Sequence, residues 1–463
     1  MSTASISVCT STALSVSMRA AWGMRFALGF LLTVVLWGIC YFVLMGPGLL
    51  VGDLLFSMMC FCILPGGMIA GRWRAMIDPR SNSAVKSGFM VGFLCAFFNL
   101  LIVGSMFQEG ASPIEITGWL FGLFALCSGL GALGGAISLT TSPVSLERIP
   151  SSLGMLSAVL ASAILLLLMS GGLVTGLEAG LAVPDWPGSF GHNMLLYPMR
   201  EMTADTGVFF EHAHRLYGML VGTGALTLLV FGILNDRRNW IRGLVILLLC
   251  MICIQGLMGG LRVTETSTIL ALVHGVFGQL VFTLALLIAA FTTNRWLFSN
   301  PSAEHPAAAA DRPFAFALVI LLVGQLIFGA CVRHLQTLST DGIGLEIPYW
   351  AVMVHITAGV LIFAIATLLG YRSGAVYRSI TLLRRLGLGL LVIVSLQLLL
   401  GIVALVAVSL RTISTPPIWE VIFTSMHQAT GALLLGLSAL FLIWHLRLVK
   451  PQAAENAQVA PAN

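Results

Sequence analysis

Charge is what this chain most lacks. Only 9% of its 463 residues are Asp, Glu, Lys or Arg, while 58% are hydrophobic. That balance excludes an ordinary soluble domain. The net charge of +5 sits in short loops and forms no basic stripe, so no nucleic-acid partner is expected. Alternating apolar patterns are also missing. The apolar runs are continuous, which excludes a transmembrane β-barrel. The nine cysteines are scattered, mostly inside apolar runs, and read as packing residues rather than a disulfide framework. Residues 1–148 contain no histidine and hold no His-ligated cofactor. The first 18 residues carry no charge. The apolar run after Arg19 and Arg25 is longer than a signal-peptide core and reads as an uncleaved first helix.

What the chain has is apolar runs of about 20 residues, the length that crosses a bilayer. Twelve are expected, at 26–45, 49–71, 87–107, 118–139, 152–172, 207–233, 243–261, 268–291, 313–332, 350–371, 385–409 and 420–446. The fold class is an all-α polytopic membrane protein. Basic residues fall after every second span: Arg72, Arg74, Arg80 and Lys86, then Arg237, Arg238 and Arg242, then Arg295 and Arg312, then Arg372, Arg378, Arg384 and Arg385, then Arg447 and Lys450. The loop at 108–117 brings Glu109 and Glu115 and no basic residue. The positive-inside rule then makes both termini cytoplasmic, with a bacterial inner (plasma) membrane as the simplest home. The domain reading is a four-span region at 1–148 with Gly-rich faces (Gly129, Gly131, Gly134, Gly135), a four-helix half at 149–291, a cytoplasmic linker at 292–312, a second four-helix half at 313–449 and a disordered tail at 450–463.

Within the two halves His-x-x-x-Gly occurs four times: His214 to Gly218, His274 to Gly278, His355 to Gly359 and His427 to Gly431. Positions i and i+4 share a helix face, so each histidine stands beside a position without a side chain. Imidazole is costly within a membrane and is a common haem-iron ligand. Four axial ligands and two haem-sized sites are expected, His214 with His274 and His355 with His427, all in the outer half of the membrane. Gln-x-x-x-Gly recurs at Gln255 to Gly259, Gln325 to Gly329 and Gln397 to Gly401. Arg215, Arg262, Arg333 and Arg411 are candidates for binding the haem propionates, because a guanidinium matches a carboxylate with two parallel hydrogen bonds. Glu211 lies three residues before His214, on the same face, and is the candidate catalytic group for proton movement. His192, His212, His305, His334 and His445 are read as surface residues. The long outer loop at 173–206, with Pro184, Asp185, Trp186 and Pro187, is expected to cap the first site.

Over residues 150–450 the chain resembles the haem A synthase family. The resemblance rests on Gly171-Gly172-Leu173-Val174-Thr175, on Gly180-Leu181-Ala182-Val183-Pro184-Asp185-Trp186-Pro187, on Glu211-His212-Ala213-His214-Arg215, and on His274, His355 and His427 in order. It implies two pseudo-symmetric four-helix bundles. It also implies a resident haem B cofactor whose iron His355 and His427 ligate, and a substrate haem O flanked by His214 and His274. The implied reaction oxidises a methyl group of haem O to a formyl group, by successive hydroxylations and loss of water, giving haem A for terminal oxidase assembly. The implied partners are haem O with its upstream synthase, an unidentified electron donor and the lipid bilayer; a homo-oligomer is a further expectation. The cysteine pair that some bacterial members carry in the first outer loop is absent from 173–206, and the first four spans lie outside the resemblance. The rival reading is a di-haem b-type cytochrome passing electrons from quinol to a partner. Glu211 and the capping loop suit a substrate site better than an electron carrier. A transporter, suggested by the repeat, would need broken helices and intramembrane charges that are not evident.

Overall fold

The computed structural model describes residues 3–44, 51–77, 83–103, 112–145, 149–301, 303–338, 345–411 and 415–451. Glu109, Arg80 and the tail beyond residue 451 lie outside them. The described chain is helical nearly throughout. The N-terminal region contributes α1 (Thr3–Leu44), α2 (Val51–Arg72), the one-turn α3 (Arg74–Ile77), α4 (Ala84–Val103) and α5 (Pro113–Ile137). The first half follows with α6 (Ser152–Gly176), the short α7 (Met199–Ala204), α8 (Thr206–Asn235), α9 (Asn239–Thr264) and α10 (Thr268–Phe291). After the short α11 (Asn294–Phe298) come α12 (Ala308–His334), α13 (Tyr349–Ala375), α14 (Thr381–Ser409) and α15 (Ile418–Leu448). Eleven of the described helices are long and apolar enough to cross a membrane, and Ser57–Arg72 is a shorter apolar helix segment. The chain is therefore an all-α polytopic membrane protein.

Local chemistry sets the helix starts. Ser112 and Glu115 form a reciprocal capping box ahead of Pro113. Ser151, Asp205 and Ser267 each accept a backbone N–H from the first turn of α6, α8 and α10. The linker region is more ordered than its composition implies. Besides α11 it holds the strand β1 (Ala303–Glu304), which pairs in parallel with β4 (Val449–Lys450). Two further short strands, β2 (Thr337–Leu338) and β3 (Leu345–Glu346), form an antiparallel pair.

The helices cluster into two units. One comprises residues 1–297 with 415–425, the other 298–414 with 426–463. In the first unit the backbones of α2, α4 and α5 touch through glycine. A side chain at Gly67, Gly88, Gly131, Gly134 or Gly135 would collide with a neighbouring carbonyl. Gly129, by contrast, faces open space. Helix α1 carries this region onto the first half. Phe26 packs against Phe231 at 5.2 Å, Trp37 packs against Tyr217 at 5.7 Å, and Phe30 fills the space before Gly224. In the second unit Asp311, 1% exposed, pairs with Arg372 at 2.5 Å and accepts the Tyr377 hydroxyl at 2.7 Å. The Tyr377 ring lies 5.1 Å from His445, which is fully buried. His445 is therefore a core residue and not the surface residue its place near the helix end suggests.

Candidate functional site

Each motif histidine sits about two turns into its helix. In all four cases a glycine of a neighbouring helix faces the imidazole. A Cβ built on Gly171 of α6 would lie 3.0 Å from Cε1 of His214, and one on Gly259 of α9 would lie 3.0 Å from Cε1 of His274. The corresponding distances are 2.9 Å from Gly329 of α12 to His355 and 2.9 Å from Gly401 of α14 to His427. The room for the ring thus comes from across the helix pair, not from the glycine one turn along the same helix. That same-helix glycine has a different occupant. Gly278, Gly359 and Gly431 face the amide groups of Gln255, Gln325 and Gln397. His-x-x-x-Gly on one helix therefore interlocks with Gln-x-x-x-Gly on its neighbour, ring against glycine and amide against glycine. The first site breaks the pattern: residue 167, in the glutamine's place, is leucine, and Gly218 has nothing within 4 Å.

The hydrogen bonds differ between sites as well. Gln255 donates to the carbonyl of His274 at 2.9 Å, and Gln325 to that of His355 at 2.8 Å. The Gln397 amide lies 3.4 Å from Nε2 of His427, and the Gln397 carbonyl oxygen accepts the Thr430 hydroxyl. His214 is held through its ring, with Nδ1 2.7 Å from Ser170 Oγ. Within the second unit the rings of His355 and His427 are 6.2 Å apart and inclined at 74°. Among the described residues the buried Nδ1 atoms of both lack a hydrogen-bond partner. Within the first unit His214 is within electrostatic reach of His274, Arg262 and Arg215.

A loop is clamped over the His214 end of α8. Arg215 donates from Nε to Glu211 at 3.0 Å, from one terminal nitrogen to the carbonyls of Asp185 (2.6 Å) and Gly188 (3.2 Å), and from the other to that of Val183 (2.8 Å). Four of its five N–H groups are thereby used. Arg215 thus acts as a loop clamp, with little left for a propionate. Arg262 donates to the Gly180 carbonyl at 2.8 Å, and the Trp186 indole lies against Gly260. Glu211 and Arg215 are both nearly buried, with side chains 6% and 8% exposed. Asp185 stitches the loop to itself, accepting the amides of Phe190 (2.7 Å) and Gly191 (2.9 Å). Burial works against the charge on Asp185, but those amides and nearby Arg215 outweigh it and hold the carboxyl below its ordinary value.

His212 is fully buried, not a surface residue. Its Nδ1 lies 2.9 Å from Ser189 Oγ and its ring 5.0 Å from that of Tyr197, because the loop folds onto the face of α8 that carries it. Of the other expected cations, Arg333 reaches Gln336 at 3.4 Å and Arg411 is buried. Sequence reasoning missed Ser170, Ser189 and the cross-helix glycines. The recurring Gln-x-x-x-Gly was the available signal for the interlock, while nothing in the sequence marked Ser170.

Among the described residues no group of three or more His, Cys, Asp or Glu could hold a bare metal ion. A haem iron asks less of the protein, since its ring supplies four nitrogens and two imidazoles complete the set. An iron bonded to one nitrogen of each ring at about 2 Å, with each nitrogen about 1 Å from its ring centre, sets the ring centres about 6 Å apart. His355 and His427 fit that spacing.

A sequence model of the cytochrome oxidase assembly protein family (COX15-CtaA) matches residues 154–439. One curated relative, a protein named heme A synthase from Shewanella oneidensis, is 26% identical over 177 residues. That stretch covers 36% of this chain and 52% of the relative, so the chain spans about half the length of the curated protein it matches.

Proposed function

Because this chain belongs to the cytochrome oxidase assembly protein family, we propose that it is a haem A synthase, converting a methyl group of haem O to a formyl group. The observation that carries this reading is a buried carboxylate, ion-paired with Arg215, one turn before His214. Glu211 precedes His214 by one turn, whereas the same offset before His274, His355 and His427 is occupied by Ala271, Val352 and Thr424.

His355 and His427 would hold the resident haem B, which supplies one-electron redox chemistry when bound. His214 and His274 would flank the substrate haem. Gly218, open where the other sites carry a glutamine amide, leaves room on α8 for a larger guest. Each hydroxylation would replace a methyl C–H by C–OH, with dioxygen as oxidant. One oxygen atom enters the methyl group, and two electrons from the donor with two protons reduce the other to water. Loss of water from the diol left after two such steps gives the formyl group. Glu211 would take up and return protons at its carboxylate during those steps, with Arg215 steadying its charge. The loop from Gly180 to Gly191, pinned by Arg215 and Arg262, would keep bulk water from the site. Arg262, Arg333 and Arg411 remain the candidates for the propionates. The sites would face the outer side of a bacterial inner membrane, with both termini cytoplasmic. A haem O synthase would act upstream, a terminal oxidase would receive the product, and a separate donor would supply electrons.

The test is haem extraction and chromatography from a host that makes haem O but lacks its own haem A synthase. Haem A is expected when this protein is present and absent with Glu211→Gln. Unconverted haem O beside folded protein that carries only haem B would overturn the reading and favour an electron carrier.

A further inference from the structure

We propose that Ser170 is a positioning residue that fixes the tautomer of His214, so that the ring presents its Nε2 lone pair to an incoming haem iron. The inference rests on the reading of His214 as a ligand of the substrate haem. Ser170 lies on α6, is 7% exposed and has one hydroxyl proton. The Leu167 carbonyl, 2.9 Å away, accepts that proton. Oγ is then an acceptor toward His214, and the 2.7 Å contact is an Nδ1–H donating to Ser170. A neutral imidazole protonated on Nδ1 carries its lone pair on Nε2, the nitrogen left for iron. Gly171, the next residue, makes room for the same ring, since a Cβ there would lie 3.0 Å from its Cε1. Two adjacent residues of one helix thus hold the ring's proton and leave space for its edge.

The second unit lacks this device. Among the described residues Nδ1 of His355 and of His427 has no hydrogen-bond partner. A haem that stays bound orients its own axial rings. A site that releases product and accepts new substrate needs the ring held in the interval between them. The Ser170 bond serves that interval, by the second-shell logic that orients other metal-bound histidines.

The test uses the full-length protein in lipid nanodiscs, already carrying its resident haem, titrated with ferric haem B as the probe. Affinity for the second haem and its spin state by electron paramagnetic resonance are the readouts. Ser170→Ala is expected to weaken second-haem binding about tenfold and to add a high-spin fraction. The resident haem signal should not change, and Ser170→Thr, which keeps a hydroxyl, should restore affinity and low spin. Wild-type affinity and spin state in Ser170→Ala, with binding lost in His214→Ala, would overturn the tautomer assignment and leave the site reading intact. A Ser170→Thr protein indistinguishable from Ser170→Ala would overturn it too. Low-spin uptake of a second haem by His214→Ala would sink the site reading and the assignment together.

Discussion

The two histidine-bearing halves use one scaffold and dress it differently. In each, a helix with His-x-x-x-Gly lies against a helix whose glycine receives the ring. Around His355 the positions that hold the ion pair in the first half are apolar. Val352 stands where the first half has Glu211, Ile356 where it has Arg215, and the partners are glutamine and threonine. Around His214 there is a buried ion pair, a hydroxyl on the ring nitrogen and a loop clamped by two arginines. The geometry shared by the halves is what two axial ligands require. The groups found in only one half are what proton movement and exchange of a guest require. Under the proposed function, the contrast would put the chemistry in the first half and haem retention in the second.

Removing a ligand from the second half is the harshest test of that contrast. His355→Ala or His427→Ala is expected to abolish resident haem, read as loss of its absorbance in purified protein. Retention of a bis-histidine spectrum in both variants would break the comparison at its base.

Glu211→Gln comes next. It keeps the side-chain shape and an acceptor for Arg215 Nε but removes the charge and the proton-accepting capacity. Haem content should hold while product formation falls at least about 100-fold. A normal yield of haem A would remove Glu211 from the chemistry.

The glycines probe the shared geometry with a smaller effect. Gly329→Ala or Gly401→Ala places a Cβ 2.9 Å from an imidazole carbon, so the ring must move. A shifted haem spectrum and about tenfold weaker haem retention are expected. Gly218→Ala meets no atom within 4 Å and should leave the resident haem untouched. Equal spectral shifts in all three would show that the cross-helix contacts do not hold the rings.

These predictions also mark how far the sequence could be read. The four histidines and the approach of His355 to His427 were legible because helical periodicity and internal repetition are properties of one strand of sequence. The receiving glycines were not. Gly171 and Gly401 acquire a role only once α6 meets α8 and α14 meets α15, and no spacing within one helix reports its neighbour. His212 and His445 illustrate the same limit. Each is off the face of the nearest motif histidine or at a helix end, which says nothing about what covers it: the loop with Ser189 in one case, Tyr377 and Phe441 in the other. Arg215 was recognisable as a cation beside a ligand, but its use depends on carbonyls some 30 positions earlier. Likewise, the absence of histidine sets residues 1–148 apart in composition, yet α1 packs onto α8 through Trp37 and Phe30.

The gentlest test concerns the loop that only the first half carries. Asp185 holds the turn to Phe190 and Gly191, and its carboxyl titrates below the ordinary carboxylate value of about 4. A depressed carboxylate stabilises its fold fully above the unfolded value and loses that contribution as pH falls through the folded value. The protection factors of the Phe190 and Gly191 amides, which correct for the intrinsic fall of exchange with pH, should therefore be steady from neutral pH down to about 4 and drop below it. Asp185→Asn should exchange faster at neutral pH and lose the acid step. The effect is modest, because Asp185 is only partly buried and water competes for it. Arg215 and Arg262 hold the same loop through backbone carbonyls whose pairing does not titrate in this range. An acid step of the same size in Asp185→Asn would assign the loosening to another group and separate loop closure from this carboxylate.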